Sequence, residues 1–455
     1  VDKPEADQNS APKGQVDRRK FLAIGGVVGA AAVGAGALAF AGCGGNGTST
    51  SDGNKGDQGN KDIPSNTNPG GTKETIRLVS SLPRTGSARG QTNTIVNGIQ
   101  MAVEEYQNDP ASKFSIDYKD WDDATAAAGA WDGPTEKANA QKAIADPDVM
   151  AYIGPYNSNA AKISMPELNE AGLVQISPAV TWPGLTKKIK GVAPDEPEKY
   201  QPFKPKRIHF CRVCTTDDLQ GPLAADFAKE ELHAKKVYIL DDKELYGEGL
   251  AKLFKARCEE IGIEVVGQEG IDTMAIEFGG LMTKIKGLNP DLVYFGGTTQ
   301  SKGGQIAKDM VKAGLTCPIL APDGCYEQAF IDSAGADNLN NRAYVTIVGL
   351  DPSQLTGKGA DFVKRYKEKY KTDPEAFALY GYECAKVVLA AVAKVGKKDR
   401  DEIRKAVLAT KNFTAGAVGG PEGWSFDRNG DTTLRQVTVS RVEGGKFAPK
   451  KTITK

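Results

Sequence analysis

The sequence predicts an α/β protein built from two doubly wound parallel-sheet lobes. Short β-rich runs alternate with amphipathic helical segments from Thr75 onward, the pattern of parallel sheets covered by helices. The strand–helix units are too many for one ordinary sheet and too irregular for a barrel. The chain has 455 residues, 25% charged and 40% apolar, which is ordinary globular composition with length for two domains at roughly 100–200 residues each.

Charge and composition narrow the function classes. Lys+Arg and Asp+Glu balance at 58 each, so no electrostatic argument for nucleic acid exists. Two histidines, His209 and His233, leave little material for imidazole catalysis or a His-rich metal centre. The expectation is no enzyme, no cofactor and no metal.

Residues 1–42 read as an export signal. Arg18-Arg19-Lys20 precede the Gly/Ala-rich apolar run Phe21–Gly42. Arg18-Arg19 followed by Lys20-Phe21-Leu22 resembles a twin-arginine signal, and Phe40-Ala41-Gly42-Cys43 resembles a lipobox, which would make Cys43 the lipidated N-terminus. Asp17 and Phe40 depart from those patterns, and an uncleaved anchor or a cleaved soluble form stays open. Residues 43–73 are Gly, Asn, Ser, Thr, Asp and Lys with almost no apolar side chain, a flexible leash. Its Asp52, Asn54 and Asp57 lack the spacing and closing Glu of a calcium loop. These segments place the body in the periplasm or cell envelope, tethered to the membrane.

Expected strands are Thr75–Ser80, Phe114–Lys119, Val149–Ile153, Val174–Ser177, Arg207–Arg212, Val237–Leu240, Glu264–Gln268, Leu292–Phe295 and Ile319–Ala321. Between them, Tyr246–Ile261 shows the helical type, with Leu250, Leu253, Phe254, Cys258 and Ile261 on one stripe. Lys187–Lys206, rich in Pro and Lys, reads as a surface loop. In such folds ligands sit at the C-terminal strand ends.

An ordered set of motifs follows this frame. Ile153-Gly154-Pro155-Tyr156-Asn157-Ser158 and Ile176-Ser177-Pro178-Ala179-Val180-Thr181 come first, then Gln220-Gly221-Pro222 and Asp241–Ala251. Val293–Gly297, Ala321-Pro322-Asp323-Gly324 and Trp424–Asp431 complete it. Together they resemble the periplasmic branched-chain amino-acid-binding proteins, over Thr75 to the C-terminus. The resemblance implies a type I solute-binding fold with three crossover segments, closing on a small solute and presenting it to the permease and ATPase subunits of an importer. It implies lobes of residues 74–216 with 347–419, and 217–346 with 420–455, acting as a monomer.

The residues themselves fit a zwitterion. Ser158 lies between a strand and a helix starting near Asn159, so its hydroxyl and the free helix N–H groups face an anion. Thr181 offers a hydroxyl and an N–H to the same anion, and the Val180 carbonyl accepts from an ammonium. Asp323, just past a strand, supplies the compensating charge, and Tyr246 lays an aromatic wall over the ligand. Taken singly, Ser158 and Asp323 also read as cap or turn residues, Thr181 as a turn cap and Tyr246 as surface packing. Asp427–Asp431 (DRNGD) reads as a hairpin turn around Asn-Gly.

Departures from the family bear on the ligand. Asp323 stands where the family commonly has Glu. Thr298-Thr299 replace an aromatic, making Thr298 a polar wall, and Gln91 lies near another aromatic position. Arg84 and Arg89 flank the first loop; a guanidinium turned inward would welcome a second ligand carboxylate.

Of seven cysteines, six lie in the exported body, with at most one or two disulfides expected. Cys211 and Cys214 end a strand instead of opening a helix, and Cys317 and Cys325 bracket a strand too widely to bridge. Cys258 and Cys384 sit on apolar helical stretches as buried free thiols. Three function classes stand: a transport binding protein for a small amino acid or amide, a ligand-sensing receptor of the same fold, and an enzyme on a doubly wound sheet. No nucleophile elbow, Gly-rich nucleotide loop or clear acid–base pair supports the last.

Overall fold

Parallel strand pairing dominates the chain. The computed structural model describes residues 73–203 and 207–455. The export signal, Cys43 and all of the 43–73 leash except Lys73 lie outside the described residues.

The first sheet contains β1 (Glu74–Leu82), β2 (Phe114–Asp122), β5 (Val149–Ile153), β6 (Val174–Ser177) and β7 (Phe210–Arg212), in the order β2-β1-β5-β6-β7 and parallel throughout. A small hairpin, β3 (Ala124–Thr125) and β4 (Ala130–Trp131), projects beside it. The second sheet holds β8 (Lys236–Asp241), β9 (Glu264–Gly270), β10 (Leu292–Gly296), β11 (Ile319–Ala321), β12 (Ala343–Ile347), β13 (Gln436–Glu443) and β14 (Lys446–Thr454), in the order β14-β13-β12-β11-β10-β8-β9. The chain crosses between the lobes after β7, after β12 and before β13.

All nine expected strands are present. The second sheet is not wholly parallel, however: β13 pairs antiparallel with both β12 and β14. Strand–helix alternation cannot reveal this edge, because β13 and β14 form a hairpin about Gly444 and Gly445, whose φ values of 56° and 76° suit glycine.

Helix packing completes each lobe. In helix Leu245–Ile261 the stripe Leu250, Phe254 and Cys258 is fully buried, and Phe254 stacks on Tyr294 of β10 at 3.9 Å. Helix Ala378–Val395, arriving after the second crossover, packs on helix Arg89–Asn108. The backbones meet so closely that a Cβ at Gly98 would lie 2.2 Å from the Ala378 carbonyl oxygen. The 187–206 segment differs from the expected surface loop: Glu196 and Tyr200 are buried. The Glu196 carboxylate accepts from Tyr200 Oη at 2.7 Å and from Trp182 Nε1 at 3.3 Å, so its charge is met inside. Cys211, Cys214, Cys258, Cys317, Cys325 and Cys384 are free thiols, all buried except the half-buried Cys317.

At the end of β7, Arg212 is 0% exposed and fully engaged. Its Nε donates to Asp431 Oδ1 at 2.7 Å, Nη1 to the carbonyls of Trp182 (2.8 Å) and Val180 (3.1 Å), and Nη2 to Thr186 Oγ1. The backbone follows, with Arg212 N donating to Gly430 O at 3.0 Å. Asp431 closes the DRNGD turn, where Asp427 N donates to Asp431 O at 2.8 Å and Phe426 bridges Thr432 antiparallel. Removing either charge of a buried pair strands the other. Arg212→Met or Asp431→Asn is expected to lower unfolding free energy by about 3–5 kcal/mol in urea titrations; a loss under about 1 kcal/mol would show that the pair is not structural.

Candidate functional site

Turns at the C-terminal ends of β5, β8, β10 and β11 meet in one cleft between the lobes. The first lobe brings the Tyr156-Asn157-Ser158 turn, Ala179 and Phe377; the second brings Tyr246, Thr298, Asp323 and Gly324. These residues wall an inner cavity of about 20 Å³. An outer chamber of about 480 Å³ adjoins it, sharing Asn157, Ser158, Tyr246 and Thr298 as walls.

The second-lobe wall is acidic. Asp323 is 2% exposed, and its Oδ1 accepts from Tyr246 Oη and from Gln220 Nε2 at 2.9 Å. Both side-chain donors fall on that one oxygen. Gln220 is itself fixed: its Oε1 accepts from Thr346 Oγ1 at 2.7 Å and from Asp323 N at 3.2 Å, and its Nε2 also donates to Asp217 Oδ1 at 3.0 Å. Tyr246 Oη accepts from Gly324 N at 2.9 Å, which locks the ring over the Asp323 turn. Burial raises the pKa of Asp323, partly countered by the Tyr246 and Gln220 hydrogen bonds. Burial raises Asp217 as well, with the neighbouring Asp323 charge adding to the effect. Two desolvated carboxyls thus share one amide, with only Asp323 on the cavity wall.

The first-lobe wall is a donor surface. Ser158 opens helix Ser158–Ala171 and is 3% exposed, so the unpaired N–H groups of the first turn accompany its hydroxyl. Its Oγ accepts from Trp182 N at 3.4 Å. Asn157, the N-cap, makes no side-chain cap, and its Oδ1 is buried without a partner on the wall of both cavities. Sequence reasoning passed over Asn157, although it stands in the same turn motif as Ser158.

Of the sequence-nominated residues, Ser158, Tyr246, Thr298 and Asp323 share the inner cavity. Val180, Thr181 and Gln91 are buried and do not line it. The Val180 carbonyl, read as an ammonium acceptor, instead accepts from Arg212 Nη1, because a buried guanidinium needs acceptors for its donors. Thr181 is 0% exposed; its carbonyl accepts from Asp217 N at 3.1 Å, and its hydroxyl, beside the Asp217 carboxyl, makes no hydrogen bond of ordinary geometry. Gln91 crosses between lobes, its Nε2 donating to Tyr326 O at 3.2 Å. Thr298 Oγ1 pairs with Ser301 Oγ at 3.0 Å. Arg84 does not enter the cleft: it donates to Asp120 Oδ2 at 2.8 Å and to Thr92 Oγ1 at 3.0 Å. Arg89 is exposed.

Asn159 joins the two walls. Its Oδ1 accepts from Leu245 N at 2.7 Å, and its Nδ2 donates to the Glu244 carboxylate. Glu244, the N-cap of helix Leu245–Ile261, makes no side-chain cap of its own, so that helix is capped from the opposite lobe.

Comparison with known proteins matches this geometry to one family. The family described as periplasmic binding protein matches residues 75–446. The chain is 27% identical over 380 residues to the Leu/Ile/Val-binding protein BraC3 of Rhizobium johnstonii, covering 82% of this chain and 92% of that one. It is 28% identical over 303 residues to an amino acid binding protein of Pseudomonas aeruginosa, covering 66% of this chain and 74% of the relative. Among solved structures, a leucine binding protein of Thermotoga maritima superposes with a TM-score of 0.70 at 25% identity, covering 83% of this chain and 99% of that one.

The interlobe cap carries its own test. Losing such hydrogen bonds costs about 1 kcal/mol, roughly fivefold in a two-state equilibrium. Asn159→Ala is expected to shift the lobes toward an open arrangement, seen as a larger radius of gyration in small-angle scattering. An unchanged radius would mean that this contact does not hold the cleft shut.

Proposed function

We propose that this chain, which belongs to the periplasmic binding protein family, captures a small amino acid between its lobes outside the cytoplasmic membrane and delivers it to an ATP-driven importer. One observation carries the reading: Ser158 from one lobe and Tyr246 and Asp323 from the other wall the same cavity. A zwitterion needs an acceptor for its ammonium and donors for its carboxylate, both out of water. Asp323, with Asn157 Oδ1 nearby on the wall, serves the ammonium; the Ser158 hydroxyl and the first N–H groups of its helix serve the carboxylate. Tyr246 covers the pair, Thr298 lines the side-chain direction, and the buried Thr181, Val180 and Gln91 support the fold around it.

The relatives' names give leucine, isoleucine and valine as the reference ligands. The working body is one monomer with lobes 74–216 plus 347–419 and 217–346 plus 420–455. A lipid on Cys43 and the 43–73 leash hold it near the permease and ATPase subunits.

Calorimetry across the amino acids tests capture, and no heat with any of them would reject it. Asp323→Asn is expected to weaken binding about a hundredfold, the scale of a lost buried charge-assisted bond.

Binding also carries a pH signature. An ammonium binds ionised Asp323, whose pKa burial raises to about 6. Ligand holds the ionised form, so affinity is flat above that value and falls as pH drops through it. Affinity independent of pH between 7 and 5 would remove Asp323 as the ammonium partner.

A further inference from the structure

The inner cavity, about 20 Å³, has room for little more than a water-sized group. A ligand therefore fits only its ammonium beside Asp323; its carboxylate sits at Ser158, which walls both cavities, and its side chain extends into the adjoining chamber of about 480 Å³. That chamber is in the size range of whole small-molecule sites, more than a branched aliphatic side chain fills. The wall after β10 is Thr298-Thr299-Gln300-Ser301-Lys302, hydroxyls, an amide and an ammonium, facing an opposite side with the apolar Ala128, Ala130, Trp131 and Met274.

The charges on this wall differ in their commitments. Asp242 Oδ2 accepts from Ser301 Oγ at 2.6 Å and its Oδ1 from Glu244 N at 3.0 Å. Burial raises Asp242 to about 7, so near neutrality it carries less than a full negative charge. The Glu244 carboxylate is taken by Asn159. The ammonium of the half-buried Lys302 makes neither hydrogen bond nor ion pair among the described residues. The Lys302 backbone is the N-cap of helix Gly303–Lys312, so the positive end of that helix dipole adds to the charge at this wall.

We propose that the captured solute is an amino acid whose side chain ends in a second carboxylate, of glutamate length or longer, with Lys302 as the partner of that carboxylate. This rests on zwitterion capture in the same cleft. The head group stays with Asp323 and Ser158, while the distal carboxylate reaches the ammonium that no protein group neutralises. The sequence ties a second carboxylate to Arg84 or Arg89 only if one turns inward; neither lines the cleft, and Lys302 does.

The test is calorimetry of the full chain and of Lys302→Met with glutamate, glutamine, 2-aminoadipate and leucine. A charge-assisted bond gives about tenfold or more. The wild type is expected to bind glutamate or 2-aminoadipate about tenfold tighter than leucine. In Lys302→Met the glutamate-to-glutamine affinity ratio is expected to fall by about tenfold, with the thermal midpoint of the variant reporting that it folds. Leucine preferred over both dicarboxylates, or a glutamate-to-glutamine ratio unmoved by Lys302→Met, overturns the inference and leaves amino-acid capture standing. No binding of any of the four, nor of the other amino acids, rejects capture itself.

Discussion

A single buried cation organises the join between the lobes. Arg212 reaches the third crossover through Asp431 and the ligand-side loop through the carbonyls of Val180 and Trp182. A guanidinium with no exposed surface is tolerable only where its planar fork finds acceptors in several directions. The fork thus sets where β7 ends and how the 180–186 loop lies. It also fixes where the chain returns before β13. The turn that bears Ser158 and the helix that bears Gln220 start from this frame.

The cleft repeats the same physics with opposite sign. Asp217 and Asp323 are both desolvated and both bound to Gln220, so the second lobe holds a concentration of negative charge that only a cation or protons relieve. The opposing wall offers donors at a helix N-terminus. Across the cleft, Asn159 holds the walls together through Leu245 N and the Glu244 carboxylate.

Much of this was legible locally. The strands recur between helical segments, and the strand-end rule leads from them to Ser158, Tyr246 and Asp323, along with Val180 and Thr181, while Thr298 follows from the family motif. What escaped depends on partners distant in sequence. Arg212 and Asp431 are 219 positions apart, and nothing in either neighbourhood announces the other. The motif offers the Val180 carbonyl to an ammonium, but its partner Arg212 lies 32 positions on and is not visible locally. Asn159 read as a helix start, whereas its amide caps a helix in the other lobe. The β13–β14 edge is different: Val437, Thr438, Val439 and Val442 with the Gly444-Gly445 turn mark a hairpin locally, but not its antiparallel pairing with β12, which begins at Ala343, far upstream of Gln436.

The close approach of Gly98 to the Ala378 backbone has a consequence for how the chain matures. Helix Arg89–Asn108 is made early, yet the helix that covers it lies nearly three hundred residues downstream. During synthesis one face meets β1 and β2 soon after they emerge, but the face that Gly98 presents has no native neighbour until Ala378–Val395 is made. Contacts of such long sequence separation carry a heavy loop-closure cost and form late. The first lobe therefore cannot finish folding before the second has been made, and the two halves of the cleft reach their final form together.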